Sequence, residues 1–215
     1  MPFEEELARV LPAGIPNRDR LIEKAARHLD LIVSANQHMN LTRITDPRAA
    51  AIKHVYDSVA PWKHFERARC VLDVGTGAGF PGLPLSIVLP NVPFILAESV
   101  HKKAAFVDAA VEQLELRNVR VAARRAEEIA LARPVTYIVA RAVAPLSRLI
   151  EVFAKPLKRG ARILLYKGPD VESDLAEAPK CRVRAEVLCR YELPDSFGGR
   201  TLIRIQAQGG RTRTT

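Results

Sequence analysis

Apolar residues recur at every third or fourth position in the first third of the chain, which predicts helices there. Asn17 is a candidate N-cap for the first of these helices. Asp46 and Pro47 suit the N-cap and the first turn of a second helix, and Pro61 marks its end. Residues 1–64 are therefore predicted to form a helical segment that packs on the following domain.

The middle of the chain alternates short apolar runs with helical periodicity, a pattern typical of a mostly parallel sheet with helices on both faces. After Pro179, strict alternation of apolar and polar residues predicts a C-terminal antiparallel hairpin. The fold class is therefore α/β, with a main domain over residues 65–208 and a flexible basic tail over residues 209–215. The predicted strands are Cys70–Val74, Phe94–Ala97, Val119–Ala122, Val135–Ala140, Arg162–Tyr166, a strand with Val183, Ala185, Val187, Cys189 and Tyr191 on one face, and Thr201–Gln206.

The composition indicates a protein with one substantial core, because 48% of the 215 residues are hydrophobic. No apolar run approaches the roughly 18 to 20 residues that a membrane-spanning helix needs. The N-terminus carries Glu4, Glu5 and Glu6, where a signal peptide would be basic. The three cysteines lack metal-ligand spacing. We therefore expect a soluble, cytoplasmic monomer without a membrane contact, a metal site or a disulfide.

The net charge is the first indication of a partner. A formal charge of +9 and a pI near 9.8 favour a polyanion, since clustered Lys and Arg side chains neutralise phosphates and release counterions. Part of this charge lies in Lys180–Thr215, which holds eight Lys and Arg residues against three Asp and Glu residues. A solvated basic surface that only aids solubility remains an alternative.

A glycine-rich turn after the first predicted strand is the most informative stretch. Asp73 lies at the end of the buried strand, next to its last residue Val74, and Gly75, Gly77 and Gly79 alternate in the turn that follows. Glycines there permit positive φ and allow a ligand to approach the backbone, while Asp73 can accept hydrogen bonds from the turn or, through water, from a ligand amine. Glu98 ends the next strand and can accept both ribose hydroxyls of an adenosine. The pairing predicts an S-adenosylmethionine site.

The main alternative is a nicotinamide dinucleotide site, because Gly77, Gly79 and Gly82 formally fit G-x-G-x-x-G. In that fingerprint the turn leaves a helix N-terminus open for a pyrophosphate. The carboxylate of Asp73 suits the ammonium and sulfonium groups of S-adenosylmethionine better than a pyrophosphate. A turn with a purely structural purpose is the third interpretation.

Nine motifs along nearly the whole chain extend this interpretation. In these residues the chain resembles the bacterial small-subunit ribosomal RNA guanine-N7 methyltransferases, also called the glucose-inhibited division protein B family. The strongest motif is the run from Asp73 to Gly82 with Pro84-Leu85. The others, in chain order, are Asn40-Leu41-Thr42, His54, Asp57-Ser58, Glu98-Ser99, Lys102-Lys103, Ala126-Glu127-Glu128, Arg141-Ala142 and Lys167-Gly168.

The resemblance implies a class I, Rossmann-like methyltransferase fold with S-adenosylmethionine as donor. It also implies methylation of N7 of guanine 527 in the 530 loop of 16S rRNA, either naked or within the 30S subunit or its precursor. Candidate cofactor residues, from the turn and the resemblance together, are Asp73, Gly75, Gly77, Gly79, Phe80, Glu98, Ser99, Ala126, Glu127 and Arg141. Basic positions implied near the RNA are Lys102, Lys103, Arg125 and Lys167.

This chemistry does not require a catalytic acid or base. Guanine N7 carries a lone pair and no proton, so catalysis can rest on alignment and electrostatics. Arg141, at the end of the fourth strand, is the best candidate to assist. His54 is more typical of a packed histidine, and Asp57-Ser58 of a cap or turn. A nicotinamide oxidoreductase, a non-catalytic RNA-binding protein and a methyltransferase with another substrate remain as alternatives.

Overall fold

The computed structural model describes residues 2–141 and 144–208. Four helices precede the sheet, where the apolar periodicity predicted a helical segment with two helices. The four helices are α1 (Pro2–Val10), α2 (Arg18–Met39), α3 (Pro47–Ala50) and α4 (Asp57–Val59), with a π-helical turn at Ala51–Tyr56 and a 3-10 turn at Trp62–Phe65. Ala142 and the predicted tail 209–215 lie outside the described residues.

The rest of the chain forms one seven-stranded sheet and its covering helices. The strands are β1 (Val71–Val74), β2 (Phe94–Ala97), β3 (Val119–Ala122), β4 (Tyr137–Arg141), β5 (Arg162–Lys167), β6 (Val183–Glu192) and β7 (Gly199–Ala207). The helices are α5 (Gly82–Val88), α6 (His101–Gln113), α7 (Ala126–Ala132), α8 (Leu146–Val152), α9 (Ala154–Lys158) and α10 (Glu172–Glu177).

The strand order is β3-β2-β1-β4-β5-β7-β6, with β1 to β5 parallel and β7 antiparallel to β5 and β6. The parallel sheet and the C-terminal hairpin were both predicted from the sequence. The chain leaves β1 toward β2 and later returns to its other side as β4, which makes the carboxyl ends of β1 and β4 a topological switch point. Ligands of open α/β sheets bind in the crevice at such a point.

Apolar side chains pack on both faces of the sheet. One cluster joins Leu96 and Val139 to the N-terminal helices, α5 and α6. The other joins Leu72 and Ile138 to α7, α8 and α9. The N-terminal segment therefore shares a core with the sheet. No helix in residues 2–141 and 144–208 has the length and apolarity needed to cross a membrane.

Two local predictions were wrong. Asn17 precedes α2 but makes no capping hydrogen bond; its φ is 55°, and its side-chain amide donates to the Val88 carbonyl instead. In β6 a bulge between Val187 and Cys189 breaks the predicted alternation, so Tyr191 faces the opposite side of the sheet from Val187. A bulge adds one residue to a strand and re-aims the side chains beyond it. By contrast, Asp46 caps α3 by accepting from the Ala49 amide at 2.8 Å, as predicted.

The bounds of β2 and β3 are those predicted, whereas those of β1, β4, β5 and β7 differ by one or two residues. The strand predicted from Val135 to Ala140 begins at Tyr137, because Tyr137 is the residue that pairs with Val71 of β1. It ends at Arg141, which pairs with Tyr166 of β5. The extension brings the Arg141 side chain to the carboxyl edge of the sheet.

Candidate functional site

The glycine turn connects β1 to α5 at the carboxyl edge of the sheet. Gly75, Gly77 and Gly79 have φ of 61°, 62° and 104°, the left-handed region that glycine adopts without strain. The Gly75 backbone is exposed. A Cβ added at Gly77 would meet no atom closer than 4.0 Å. The turn therefore has an open face along which a ligand can lie against the backbone.

Asp73 is fully buried beneath this turn. Its Oδ2 accepts from the Thr76 hydroxyl at 2.6 Å and from the Gly82 amide at 2.8 Å. Its Oδ1 is buried and has no hydrogen-bond partner among the described residues. Burial raises the pKa of Asp73 to about 6, against the lowering effect of its hydrogen bonds. One oxygen thus braces the turn, while the other remains able to accept a hydrogen bond.

Replacing Asp73 with asparagine is expected to remove a pH dependence of stability. With its pKa raised from 3.8 to about 6, Asp73 binds more protons in the folded protein than in the unfolded chain between those values. The free energy of unfolding of the native protein therefore falls as pH rises through this window, by on the order of 3 kcal/mol. Urea unfolding at several pH values measures both proteins; parallel curves would contradict this expectation.

Glu98 lies beside the turn at the end of β2 and is 7% exposed. Its Oε2 accepts from the Gly77 amide at 3.1 Å, and its Oε1 accepts from the Val100 amide at 2.9 Å. Each carboxylate oxygen can accept a further hydrogen bond. Ser99 is exposed next to it, and Val100 is 50% exposed, one of the most exposed large apolar side chains in the described part of the chain. Val100 offers an apolar surface that the sequence reasoning did not single out.

The Phe80 side chain lies inside the protein. Its ring centroid is 4.6 Å from that of His54 and 5.0 Å from that of His28. The Arg141 guanidinium carbon is 5.6 Å from the Phe80 ring. Since the whole residue is only 6% exposed, little of Phe80 is open to a ligand. The stack couples the glycine turn to the N-terminal helices and to the end of β4.

His54 is buried in this stack. Its Nε2 lies 3.0 Å from the Thr42 hydroxyl. Burial, together with the positive charge of Arg141, lowers the pKa of His54 to about 3. Burial likewise lowers the pKa of His28 to about 4. Both imidazoles are neutral at physiological pH, which supports the packed-histidine interpretation of His54.

Asp57 is the centre of a polar network beside Arg141. It is 3% exposed, and its carboxylate accepts from the Tyr191 hydroxyl at 2.9 Å. It pairs with Arg141 at 3.3 Å and with Arg200 at 3.4 Å. Arg141 also donates to the Lys53 carbonyl at 2.9 Å. Asp57 therefore orients the guanidinium groups of Arg141 and Arg200. The sequence had indicated only a local cap or turn at this position.

A cavity of about 510 Å³ opens at the carboxyl ends of β4 and β5. This volume lies in the range of small-molecule sites. Lys53, His54 and Asp57 contribute one wall from the N-terminal segment. The other wall comes from the sheet and carries Arg141, Tyr166, Lys167 and Arg200. The cavity is thus adjacent to the switch point and has a strongly basic lining.

Arg200 was not among the predicted site residues because it lies at the start of an antiparallel strand and not at the end of a parallel one. β7 runs antiparallel to β5, and Leu202 near the start of β7 pairs with Tyr166 near the end of β5. The beginning of β7 therefore lies at the same edge as the end of β5, where Thr201 pairs with Lys167. The predicted hairpin contained this information, since the start of an antiparallel strand meets the end of its parallel neighbour.

The four predicted RNA-side residues lie along this edge but are not gathered at one point. Lys102 is exposed at the start of α6 and donates to the His38 carbonyl at 3.2 Å, and Lys103 is half-buried beside it. Arg125 is exposed after β3. Lys167 ends β5 and pairs with Asp174 at 3.0 Å. β3 and β5 are four strand spacings apart, roughly 19 Å, so these residues line an extended surface.

Ala126 and Glu127 begin α7 just beyond the end of β3. Ala126 is buried, and Glu127 is half-buried with its carboxylate 3.9 Å from Arg125. Because β3 pairs with β2, this helix start lies on the side of Glu98 away from β1. The predicted cofactor residues therefore follow the carboxyl edge from β3 across β2 and β1 to Arg141 on β4.

Comparison with known proteins identifies the family. The sequence model of the family described as rRNA small subunit methyltransferase G matches residues 21–191. A protein of Solibacter usitatus named ribosomal RNA small subunit methyltransferase G is 54% identical over 210 residues, 96% of this chain and 100% of its own length. This chain belongs to the rRNA small subunit methyltransferase G family. A relative of the same name from Carboxydothermus hydrogenoformans is 34% identical over 88% of this chain and 85% of its own.

Membership of the rRNA small subunit methyltransferase G family confirms the resemblance seen in the motifs. The enzyme class is therefore an S-adenosylmethionine-dependent rRNA methyltransferase, as predicted, and not a nicotinamide oxidoreductase. Among solved structures, precorrin-6y C5,15-methyltransferase of Geobacter metallireducens matches with a TM-score of 0.52 and 16% identity, over 69% of this chain and 85% of that one. This likeness confirms the fold class alone.

Proposed function

We propose that this enzyme transfers the methyl group of S-adenosylmethionine to N7 of guanine 527 in the 530 loop of 16S rRNA. The observation that carries the proposal is the basic cavity next to the glycine turn, at the switch point of the sheet. A cavity there brings an acceptor base next to a donor that lies on the turn. The motif resemblance supports the choice of base and position.

Residues around the glycine turn fit S-adenosylmethionine. The buried, unpartnered Oδ1 of Asp73 can accept from a donor of the ligand, and the open face at Gly75 and Gly77 admits it. Glu98 would accept the ribose hydroxyls, with Ser99 beside it. The start of α7, at Ala126 and Glu127, would frame the adenine end; Phe80 and Arg141 would border the methionine end. When bound, S-adenosylmethionine supplies an electrophilic methyl group on its sulfonium.

Methylation of the acceptor guanine depends on how its N7 is positioned relative to the donor, and not on proton transfer. Guanine N7 loses no proton when it is methylated, so a general base is unnecessary. The neutral, hydrogen-bonded state of His54 is consistent with this requirement. Holding two reactants in the productive geometry can by itself contribute several kcal/mol. The walls that hold the base come from the proposed N-terminal segment, residues 1–64, and from the proposed domain over residues 65–208.

The basic lining of the cavity suits a nucleotide and its phosphates. Arg141 is held at the mouth by Asp57 and the Lys53 carbonyl, with 18% of its side chain exposed. From there its guanidinium can donate to a phosphate or to guanine O6 without occupying N7. Lys102, Lys103, Arg125 and Lys167 would extend the contact to neighbouring phosphates along the edge. In this assignment Arg141 is an assisting group and no side chain is a catalytic acid or base.

The proposed partner is 16S rRNA, either naked or within the 30S subunit or its precursor. A substrate of this kind requires the enzyme to act in the cytoplasm. We propose that it acts as a monomer, because few large apolar side chains in residues 2–141 and 144–208 are strongly exposed: Val33, Val100 and Leu131. Monomers lack the large contiguous apolar patches that obligate interfaces need.

Transfer of labelled methyl to 16S rRNA and to 30S subunits tests the proposal, with mapping of N7-methylguanosine. Gly75→Arg is expected to abolish transfer, since an arginine at φ 61° would occupy the open face of the turn. Gly160→Arg is the matched control, because Gly160 also has positive φ, 95°, but lies after α9 with no atom within 4 Å of a Cβ. It should keep its activity.

The outcomes separate the remaining alternatives. Label at guanine 527 that disappears in Gly75→Arg alone would support donor, substrate and position together. Binding of S-adenosylmethionine without label in either RNA substrate would overturn the proposed substrate and leave a methyltransferase with another acceptor. Binding of 16S rRNA without binding of S-adenosylmethionine would favour a non-catalytic RNA-binding protein.

A further inference from the structure

Three neighbouring surface clefts share a set of arginines far from the proposed acceptor cavity. They lie at the amino edge of the sheet and between β3 and α7. Arg133 lines all three clefts. Arg117 and Arg120 line one cleft with it, Arg120 and Arg124 a second, and Arg159 the third. None of the described residues that line these clefts is acidic, and these five form the arginine cluster.

The positive charge of this cluster is largely uncompensated. Arg117, Arg120 and Arg133 are exposed and form no ion pair with another described residue. In the cluster, Arg124 pairs with Glu128 at 3.4 Å, and Arg159 donates to the Leu131 carbonyl. Like charges held close together repel one another and create a field that attracts an anion.

Four of the five arginines lie at the amino edge of the sheet, opposite the acceptor cavity, while Arg124 follows the end of β3. Cys70, Pro93 and Asn118, which precede β1, β2 and β3, line the main cleft of the cluster, whereas the acceptor cavity lies beyond the ends of β4 and β5. The four residues of β1 alone separate the edges by roughly 13 Å. A base in the cavity therefore cannot reach the cluster, and only a large anion could occupy both.

We infer that the arginine cluster is a second rRNA-binding surface, which holds phosphates of a segment outside the methylated loop. The inference rests on the proposed function, because that function supplies a polyanion long enough to span both edges. Guanidinium groups bind phosphate oxygens through planar, two-pronged hydrogen bonds, and arginine is well suited to that contact. Phosphate contacts position a nucleic acid without reading its sequence. The arginine cluster would thus orient the 16S rRNA while the acceptor cavity binds the guanine.

The test is a triple variant, Arg117→Gln with Arg120→Gln and Arg133→Gln. Filter binding of 16S rRNA across a range of salt concentrations is expected to show at least about a tenfold weaker affinity at low salt and a salt slope lower by about 2. The KM for rRNA should rise while kcat and S-adenosylmethionine affinity stay unchanged. A triple Arg→Lys variant at the same positions should keep most of the salt slope, since it keeps the charge.

A matched control removes the same charge elsewhere. Lys180→Gln with Arg182→Gln and Arg184→Gln changes three exposed residues at the β6 end of the sheet. Equal weakening by both triple variants would show an effect of net charge and overturn the inference, as would an unchanged affinity. If the native protein binds 16S rRNA but transfers no methyl group, the proposed function fails, while the binding comparison still decides whether the cluster contacts RNA.

Discussion

Gly82→Ala is expected to lower the free energy of unfolding by about 2 to 3 kcal/mol and to abolish S-adenosylmethionine binding. A Cβ at this position would lie 2.3 Å from Leu96 Cδ2 and 2.7 Å from Asp73 Oδ2. Both neighbours are fully buried in the sheet, so neither can move aside freely. The methyl group would therefore push α5 away from β1 and break the hydrogen bond from the Gly82 amide to Asp73.

Urea unfolding and calorimetric titration with S-adenosylmethionine measure the two effects of Gly82→Ala. Gly14→Ala is the matched control, because a Cβ at Gly14 meets nothing within 4 Å. Its free energy of unfolding should change by no more than about 0.5 kcal/mol. If Gly82→Ala behaved like this control, the close approach of α5 to β1 would not be what shapes the turn.

Asp57→Ala is expected to cost about 3 kcal/mol of stability and to lower methyl transfer at least tenfold. The substitution leaves Arg141 and Arg200 without their shared carboxylate, and loss of one partner of a buried ion pair typically costs 3 to 5 kcal/mol. We expect the lower end because 18% and 24% of the two arginine side chains remain exposed. Two unpaired guanidiniums would also repel each other and move Arg141 from the cavity mouth.

The readout that distinguishes positioning from simple destabilisation is kinetic. At a temperature where Asp57→Ala remains folded, kcat should fall by a larger factor than the affinity for S-adenosylmethionine, because Arg141 only borders the methionine end of the cofactor site. Asp195→Ala is the control, since Asp195 also bridges two arginines, Arg9 and Arg48, but on the surface. It should have a much smaller effect on stability and none on kcat. A fall in kcat for both variants would contradict the positioning role of Asp57.

The parts of the fold that depend on local sequence patterns were predictable. Four of the five parallel strands were placed within one residue of their observed bounds, because a buried parallel strand is a short apolar run between turn signals. The Asp46 cap was also predictable, since an N-cap depends on its own side chain and the amide three residues on. Asn17 was not, because its amide bonds Val88, 71 residues away.

Some residues of the candidate site were likewise predictable from local patterns, and others were not. The glycine turn and Glu98 were visible in the sequence because each lies at the end of a strand with a recognisable pattern. Asp57 looked like a local cap, yet its partners Arg141, Tyr191 and Arg200 are 84, 134 and 143 residues away. No local pattern carries a contact over such a separation.

The sequence by itself determined the order of the elements, the turn at the end of β1, the family resemblance and the net charge. These depend on local spacing, on residue type and on sums along the chain. Only the tertiary structure decided which charges meet. The β6 bulge turned Tyr191 toward Asp57, antiparallel β7 brought Arg200 to the cavity, and packing of separate turns gathered the arginine cluster. Such contacts join residues far apart in the chain, so they exist only once strand order and register are set.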